Sequence, residues 1–428
     1  MLALAIDRRF VRKCSELLSP RLVVSGTNGK TTTVRALIGA LSAAGWPVVS
    51  NQAGSNLLRG VAAALAQPVT SGTDSAGVFE ADEFALPEIV AQLNPHVVVL
   101  LNLFRDQLDR YGELETIRSR WRRVLRETTA LVVANADDPQ VSEVVLSSAV
   151  EATFFGAGSE LAAGQKGLIM DVVRCPRCMD RLERRFLTYG HLGDYRCRRC
   201  GFVRPPLQIE LVNFKMEPDW TRPATVTLLE HVPGQTVQQS IQVPLRGLHA
   251  AYNVAATCLA ARSVGLTWEA IRQAWSNWQP AFGRGDLVEV GGVRLFTVLV
   301  KNPVGFSQAL GAYVGPSVDA YVIAINDLTA DGRDVSWLWD VDLEPLVRAN
   351  KPVLCSGLRA EEMALRLKYA GMNPLQITVD ASIKKAVDRT IGMVQRGGTV
   401  VVFPTYTALL ELRRELHRRG VAAPFWSG

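Results

Sequence analysis

The chain has 428 residues, 48% hydrophobic and 21% charged, with a formal net charge of +6. That predicts two to three domains of a soluble globular protein with ample core. No apolar run approaches the roughly 18 residues of a membrane span. The stretch 1–20 carries charge at Asp7, Arg8, Arg9, Arg12 and Lys13 and lacks the apolar core of a signal peptide, so a cytoplasmic location is expected. The positive surplus is compatible with nucleic acid, a phosphate-rich substrate or an anionic membrane surface, and selects none of them.

Residues 1–20 read as one amphipathic helix, with no room before residue 26 for another domain. An apolar strand, Leu22–Ser25, then runs into Gly26-Thr27-Asn28-Gly29-Lys30-Thr31-Thr32 and a helix from Val34 to about Ala44. The glycines let backbone N–H groups close around phosphate oxygens, and the helix N-terminus adds partial positive charge. Lys30 is placed for the β- and γ-phosphates of a nucleotide, and the Thr31 hydroxyl for Mg²⁺.

Pro47–Ser50 reads as a short strand and Asn51–Gly60 as a polar loop suited to lining a site. Gly77–Glu83 reads as a strand ending in the carboxylates Glu80, Asp82 and Glu83, placed to hold Mg²⁺ or forming a solvated acidic turn. His96–Leu101 is a buried, parallel-type strand opening onto Asn102–Gly112, and a basic helix follows over Glu113–Arg126. The strand Ala130–Ala134 ends in Asn135-Ala136-Asp137-Asp138-Pro139. Strands alternating with helices, with polar residues at strand C-termini, predict a doubly wound parallel sheet.

Cys175 and Cys178 pair with Cys197 and Cys200 across eighteen residues. Two Cys-x-x-Cys turns flanking a polar hairpin predict a four-thiolate structural zinc ribbon at about 172–204, with iron or a thiol–disulfide role as alternatives. Arginines flank both turns and read either as nucleic-acid contacts or as solvation of a small ribbon. Pro205–Val243 alternates as β-structure, and Arg246–Ala256 leads into a helix to about Ser263. The Gly-rich break Phe282–Asp286 marks a domain boundary, giving domains 1–285 and 286–428. The second shows strands at Val293–Val300, Ala320–Asn326, Pro352–Cys355, Gln376–Val379 and Thr399–Phe403, and a final helix from about Thr407 to Arg419. Its strongest site signal is Asn326–Asp342, a loop with five Asp and two Trp; a Trp-anchored structural loop is the alternative.

Several segments together resemble the Mur ligase family of ATP-dependent carboxylate–amine ligases: Gly26–Thr31, Asn102–Gly112, Asn135–Pro139, Gly247-x-His249…Asn253, and Lys301-Asn302-Pro303. The resemblance implies a central P-loop domain carrying the zinc ribbon and a C-terminal Rossmann-like α/β domain. It implies ATP and Mg²⁺ as cofactors besides Zn²⁺. Asn135, Asp138, Asn253 and Arg284 join Gly26 to Thr32 as nucleotide-binding residues, and Glu80 and Asp106 (or Gln107) join Thr31 at Mg²⁺. The departures are the absence of an N-terminal uridine-binding domain, Gln107 in place of a metal-binding His, no Lys between Lys30 and Lys166 to be carbamylated, and Val298 and Lys301 in place of an Asp and a His.

On these counts the chain is similar to one branch, the MurT-type ligase subunits of lipid II isoglutaminyl synthase. That implies amidation of the D-glutamate α-carboxylate of the lipid II stem peptide, through an acyl phosphate. Ammonia would come from a GatD-type glutamine amidotransferase-like partner. An Asp of this subunit would complete the partner's catalytic site; Asp340 is the first candidate and Asp334 the second. The resemblance implies a cytoplasmic protein that would meet its lipid-linked substrate peripherally at the inner face of the membrane, with no nucleic-acid partner expected. The alternatives are a folylpolyglutamate synthetase-like ligase and a nucleic-acid-binding ATPase using the ribbon.

Overall fold

The computed structural model describes residue 7 and residues 9–52, 55–66, 75–105, 114–162, 171–217, 222–279 and 284–422. These form two compact units. One spans Met1–Phe104 and Tyr111–Trp278; the other spans Gln279–Gly428 with the short stretch Arg105–Arg110.

In chain order the first unit contains α1 (Phe10–Ser15), β1 (Leu18–Ser25), α2 (Lys30–Ala43), β2 (Val48–Val49), α3 (Leu58–Leu65), β3 (Ser75–Glu80), α4 (Leu86–Leu93) and β4 (Val97–Leu100). There follow α5 (Leu114–Glu127), β5 (Leu131–Asn135), α6 (Pro139–Ser148), β6 (Ala152–Ala157), β7 (Glu183–Leu187) and β8 (Gly193–Arg196). The unit ends with β9 (Ile209–Lys215), β10 (Ala224–Val232), β11 (Gln235–Val243), α7 (Leu248–Ser263) and α8 (Trp268–Ser276). Nine strands make one sheet in the order β11-β10-β9-β6-β5-β4-β1-β3-β2, parallel from β9 to β2 and closed by the antiparallel β9–β11 meander. β1 from Leu22, β3, β4 and β5 are almost wholly buried, as strands of a parallel sheet covered on both faces are.

The stretch read as one helix over residues 1–20 is helical only across Phe10–Ser15 among the described residues. β1 already begins at Leu18, two residues before Pro20, which has no N–H to continue a helix. The predicted strand Gly77–Glu83 stops at Glu80, so Asp82 and Glu83 stand in the turn beyond it.

The second unit contains β12 (Arg284–Val290), β13 (Val293–Val298), α9 (Pro303–Tyr313), β14 (Ala320–Ala324), α10 (Glu344–Ala349), β15 (Val353–Ser356) and α11 (Ala360–Tyr369). It closes with β16 (Ile377–Asp380), α12 (Ile383–Met393), β17 (Thr399–Pro404) and α13 (Tyr406–Arg418). Its six-stranded sheet runs β12-β13-β17-β14-β15-β16, parallel except for the β12–β13 hairpin. Both turn glycines of that hairpin, Gly291 and Gly292, have positive φ. Of the stretch read as a Gly-rich break, Arg284–Asp286 belong to strand β12 itself.

The four-cysteine insert is a lobe built on the two-stranded β7–β8 sheet, with its own small core of Val172, Leu182, Tyr195 and Phe202. It is fastened to the large sheet through the turn after β5. Asp137 is fully buried: its Oδ1 lies 2.6 Å from Arg204 Nη2, and its Oδ2 accepts from Ala157 N (2.8 Å) and from the Tyr252 hydroxyl. Tyr252 OH also bonds the Thr188 hydroxyl (2.8 Å), and Gly193 N donates to Asp137 O (3.1 Å). Burial pushes the Asp137 carboxyl up, against the guanidinium of Arg204 and the Tyr252 bond. Breaking such a buried pair from one side leaves an uncompensated charge. Asp137→Ala should therefore lower unfolding free energy by about 3–5 kcal/mol, read by urea denaturation. Adding Arg204→Met should recover much of that loss, and a loss from the single variant well under 1 kcal/mol would show that the clamp carries no stability.

Candidate functional site

The carboxyl ends of the parallel strands line up: Ser25 of β1 is in register with Leu100 of β4, and Leu100 with Ala134 of β5. In open parallel sheets ligands bind outside these ends. Gly26, at φ +141°, lets β1 turn against β4; a Cβ there would lie 2.9 Å from Asn102 N. Gly29, at φ +93°, caps α2, and a Cβ on it would lie 2.1 Å from Asn253 Oδ1. The Asn253 side chain thus packs directly on the loop. Asn102 clamps the loop's middle: its Oδ1 accepts from Asn28 N (2.9 Å), its Nδ2 donates to Asn28 O (3.0 Å), and its carbonyl accepts from Thr27 N (2.9 Å).

The two chemically active side chains of the loop each face a carboxylate. Thr31 Oγ1 donates to Glu80 Oε2 at 2.8 Å. Lys30 Nζ, almost fully buried, donates to Glu83 Oε2 at 2.8 Å and to Gly26 O at 2.5 Å. Glu83 is buried too, and its carbonyl accepts from Trp121 Nε1 (2.7 Å). The third carboxylate of the trio, Asp82, accepts from Phe84 N (3.1 Å). Glu80 is further fixed by Asn51, whose side chain exchanges two 2.9 Å bonds with its backbone.

Among the other expected nucleotide residues, Thr32 is buried in the first turn of α2. Asn135 Nδ2 donates to Leu101 O (2.9 Å), and its Oδ1 accepts from Asp137 N (3.0 Å). Asp138 is fully buried and caps α6, accepting from Gln140 N (2.9 Å) and from Leu103 N (2.7 Å). His191 Nε2 of the ribbon lobe lies 3.2 Å from Asp138 Oδ2. Burial pushes Asp138 up, but His191 and these N–H donors hold it below the usual carboxylate range. Arg284 opens β12, and its side chain lies outside the described residues, as do Asp106 and Gln107.

The four ribbon cysteines converge. Cys175 and Cys200 sulfurs are 3.6 Å apart, Cys178 and Cys197 3.4 Å, and all four lie within 4.8 Å of one another. A tetrahedral zinc with Zn–S of about 2.3 Å needs sulfurs about 3.8 Å apart, so this set fits a closed four-thiolate site. His191, Tyr189 and Arg204, which the motif reading passed over, tie that lobe to the nucleotide side. The His191 ring stands 4.6 Å from the Phe104 ring, and Phe104 N donates to Thr27 Oγ1 of the P-loop (3.0 Å).

In the second unit the acidic loop is held by its own aspartates. Asp331 accepts from Thr407 N (2.8 Å) and Oγ1 (2.5 Å); Asp327 pairs with Arg359 (2.6 Å). Asp342 Oδ1 accepts from Glu344 N (3.1 Å). Asp340 is paired with Arg105 at 2.8 Å. Asp334 is exposed; its carboxylate accepts from Ser336 N (2.8 Å), and bonds to the Ser336 side chain and backbone hold it below the usual range. Trp337 packs edge-on to Phe306, whereas Trp339 is exposed beside Tyr369. Asn302 caps α9 through Gly305 N (2.7 Å), with Pro303 in its first turn.

The Mur ligase middle domain profile matches residues 24–171, and the MurT ligase C-terminal profile matches residues 299–409. MurT of Staphylococcus aureus (strain COL), named as a subunit of the glutamine-hydrolysing lipid II isoglutaminyl synthase, is 30% identical over 97% of this chain and 92% of its own length. The same subunit of Streptococcus pneumoniae (strain ATCC BAA-255 / R6) is 32% identical over 94% and 88%. The chain belongs to the MurT family of Mur ligases. It is therefore an ATP-dependent, amide-forming ligase. The fold extends further: a pseudomurein peptide ligase type C from Methanothermus fervidus superposes with a TM-score of 0.69 at 18% identity, covering 94% of this chain and 79% of that one. MurF from Thermotoga maritima, solved with ADP, gives 0.64 at 16%, covering 97% and 85%.

Gly29→Ala forces a positive φ on an L-residue and a clash with Asn253, so nucleotide affinity should fall by at least tenfold in a calorimetric titration. Metal analysis of the purified chain should find about one zinc per chain. Exchange of Cys175 and Cys200 for Ser should release it and weaken nucleotide binding as well, through the His191–Phe104–Thr27 contact.

Proposed function

We propose that this chain is the ligase subunit of a lipid II isoglutaminyl synthase, converting the D-glutamate α-carboxylate of the lipid II stem peptide to the amide of D-isoglutamine. What carries this reading is the P-loop whose Lys30 and Thr31 each face their own carboxylate, on a chain aligned nearly end to end with subunits that bear that name. ATP would lie along Gly26–Thr32 with Asn253 beside its nucleoside end, and the Asn135–Pro139 turn would shape the floor through its backbone. Thr31 and Glu80 would hold Mg²⁺, which neutralises phosphate charge when bound. The substrate carboxylate attacks the γ-phosphorus in line, ADP leaves, and the acyl phosphate so formed is attacked by ammonia with loss of phosphate. Lys30 steadies the charge on the transferring group, so catalysis is mainly positioning and electrostatics.

The chain has no thiol suited to releasing ammonia from glutamine, a task that needs an accessible thiolate. Four cysteines converge at the ribbon. Burial pushes the Cys355 thiol up to about 12, and burial pushes Cys258 well up too; Cys14 is also raised, by burial and by Asp7. A glutaminase partner of the GatD type, forming a heterodimer, supplies that step in this reading. Of the two aspartates considered for completing the partner's site, the geometry favours Asp334. It is exposed, ionised and held in one orientation by Ser336, whereas the carboxylate of Asp340 is already engaged by Arg105.

Co-expression with a glutaminase partner should give ATP- and glutamine-dependent amidation of lipid II, seen as a mass change of one unit in the stem peptide; no product from two folded proteins would sink the reading. Lys30→Ala should lower the rate on the order of 10²–10³-fold with either nitrogen source. Asp334→Asn should abolish glutamine-driven amidation yet spare the reaction with free ammonium, and Asp340→Asn should not show that split.

A further inference from the structure

The ribbon lobe carries most of the chain's charge surplus. Between Asp171 and Arg204 there are nine arginines, no lysine and four carboxylates, a surplus of five against +6 for the whole chain. Four thiolates around one divalent ion take back two of those charges and leave the lobe positive. Two arginines do internal work: Arg184 donates to His191 O and Val172 O, and Arg204 holds Asp137. The others, including Arg181, Arg185, Arg196 and Arg198, are exposed. A cleft of about 720 Å³ brings Arg181, Arg184, Arg185, Arg196 and Arg198 together with Val173 and Leu182 and with two carboxylates, Asp180 and Glu183, so its lining carries a surplus of three positive charges. Val173 is 43% exposed; Val203, the bridge partner of Arg196, is 52% exposed, and Met179 is 63% exposed. Such side chains sit in a lobe whose own core is complete without them.

We propose that this face of the ribbon lobe docks on an anionic lipid bilayer. Arginines supply attraction to acidic headgroups, and Val173, Met179 and Val203 enter the interface between them. Charge complementarity selects the occupant, since acidic lipid is the anionic surface next to a lipid-linked substrate; that clause rests on the function proposed above. No helix among the described residues is long and apolar enough to cross a membrane, so the surface acts as a peripheral anchor. Glu183, paired with Arg196 and Arg198, and Asp194, paired with Arg185, moderate the attraction and keep it reversible.

The test is flotation of the full chain with phosphatidylcholine vesicles made with and without phosphatidylglycerol, free of lipid II. Binding only to the acidic vesicles, weakening as salt rises, is expected. The triple variant Arg181→Gln, Arg185→Gln, Arg198→Gln should bind on the order of 100-fold more weakly, about fivefold for each arginine at ~1 kcal/mol. Val203→Ser with Met179→Ser should weaken binding at high salt, where the apolar share remains. Unchanged zinc content and melting temperature mark the variants as folded. Equal binding to both vesicle types, no binding to either, full binding by the folded triple variant, or tighter binding of duplex DNA than of acidic vesicles at the same salt would overturn the proposal. Amidation of detergent-dispersed lipid II separates the two readings: its failure sinks the proposed reaction and leaves vesicle binding standing, and the triple variant should retain it.

Discussion

Two adjacent buried carboxylates, Asp137 and Asp138, hold the first unit together at its functional end. They follow β5 and point to different partners. Asp138 caps α6 and takes the backbone N–H of Leu103, fixing the chain as it leaves β4. Asp137 gathers Arg204, Tyr252 and Ala157 from three other segments. Charges of this kind are costly to bury and are tolerated only when surrounded by donors. Here the donors come from the ribbon lobe, from α7 and from β6, so the turn fixes where each of them sits.

The P-loop depends on this arrangement at one remove. Leu103 and Phe104 lie between the turn and the loop: Leu103 N is bonded to Asp138, while Phe104 exchanges two bonds with the Thr27 hydroxyl. His191 packs on the far side of Phe104 and beside Asp138. The four-cysteine lobe is therefore a wall of the nucleotide site's support rather than an appendage, joined to the P-loop through His191 and Phe104.

Strands, their order along the chain and the P-loop were legible from sequence because each rests on local pattern. Short β-branched apolar runs such as Val97–Leu100 between turn signals read as buried strands of a covered sheet, and Gly26 and Gly29 are needed where φ is positive. The ribbon was legible from cysteine spacing alone. What local pattern could not show was pairing across distance. Glu80, Asp82 and Glu83 read as one acidic group, yet the end of β3 at Glu80 sends them to Thr31, to their own turn and to Lys30 respectively. Period-two alternation within β3 and the turn after it decide this, and the partner lies some fifty residues away. Asn135 and Asp138 read as nucleotide residues from a motif, while their side chains are committed to Leu101, Leu103 and Gln140. The amphipathic start over residues 1–20 misled because the chain has already entered β1 at Leu18, a pairing with β3 that periodicity does not see.

The second unit solves a different problem with the same residue type. Its loop after β14 carries five aspartates, which at full charge would repel one another and keep the loop extended. Asp327 and Asp331 are drawn inward by Arg359 and Thr407, and Asp342 starts α10, so three of the five negative charges become the frame of the loop. Asp340 is answered by Arg105. Asp334, also exposed, is steadied by its own turn through Ser336 N. An outward carboxylate whose orientation is already set by its own turn keeps its charge at the surface without the cost of ordering the loop. Trp337, packed inward on Phe306, and Trp339, left exposed beside Tyr369, divide the same way. One aromatic anchors the loop to its own core and the other is left at the surface, so charge and apolar area are both presented on a loop whose shape is already settled.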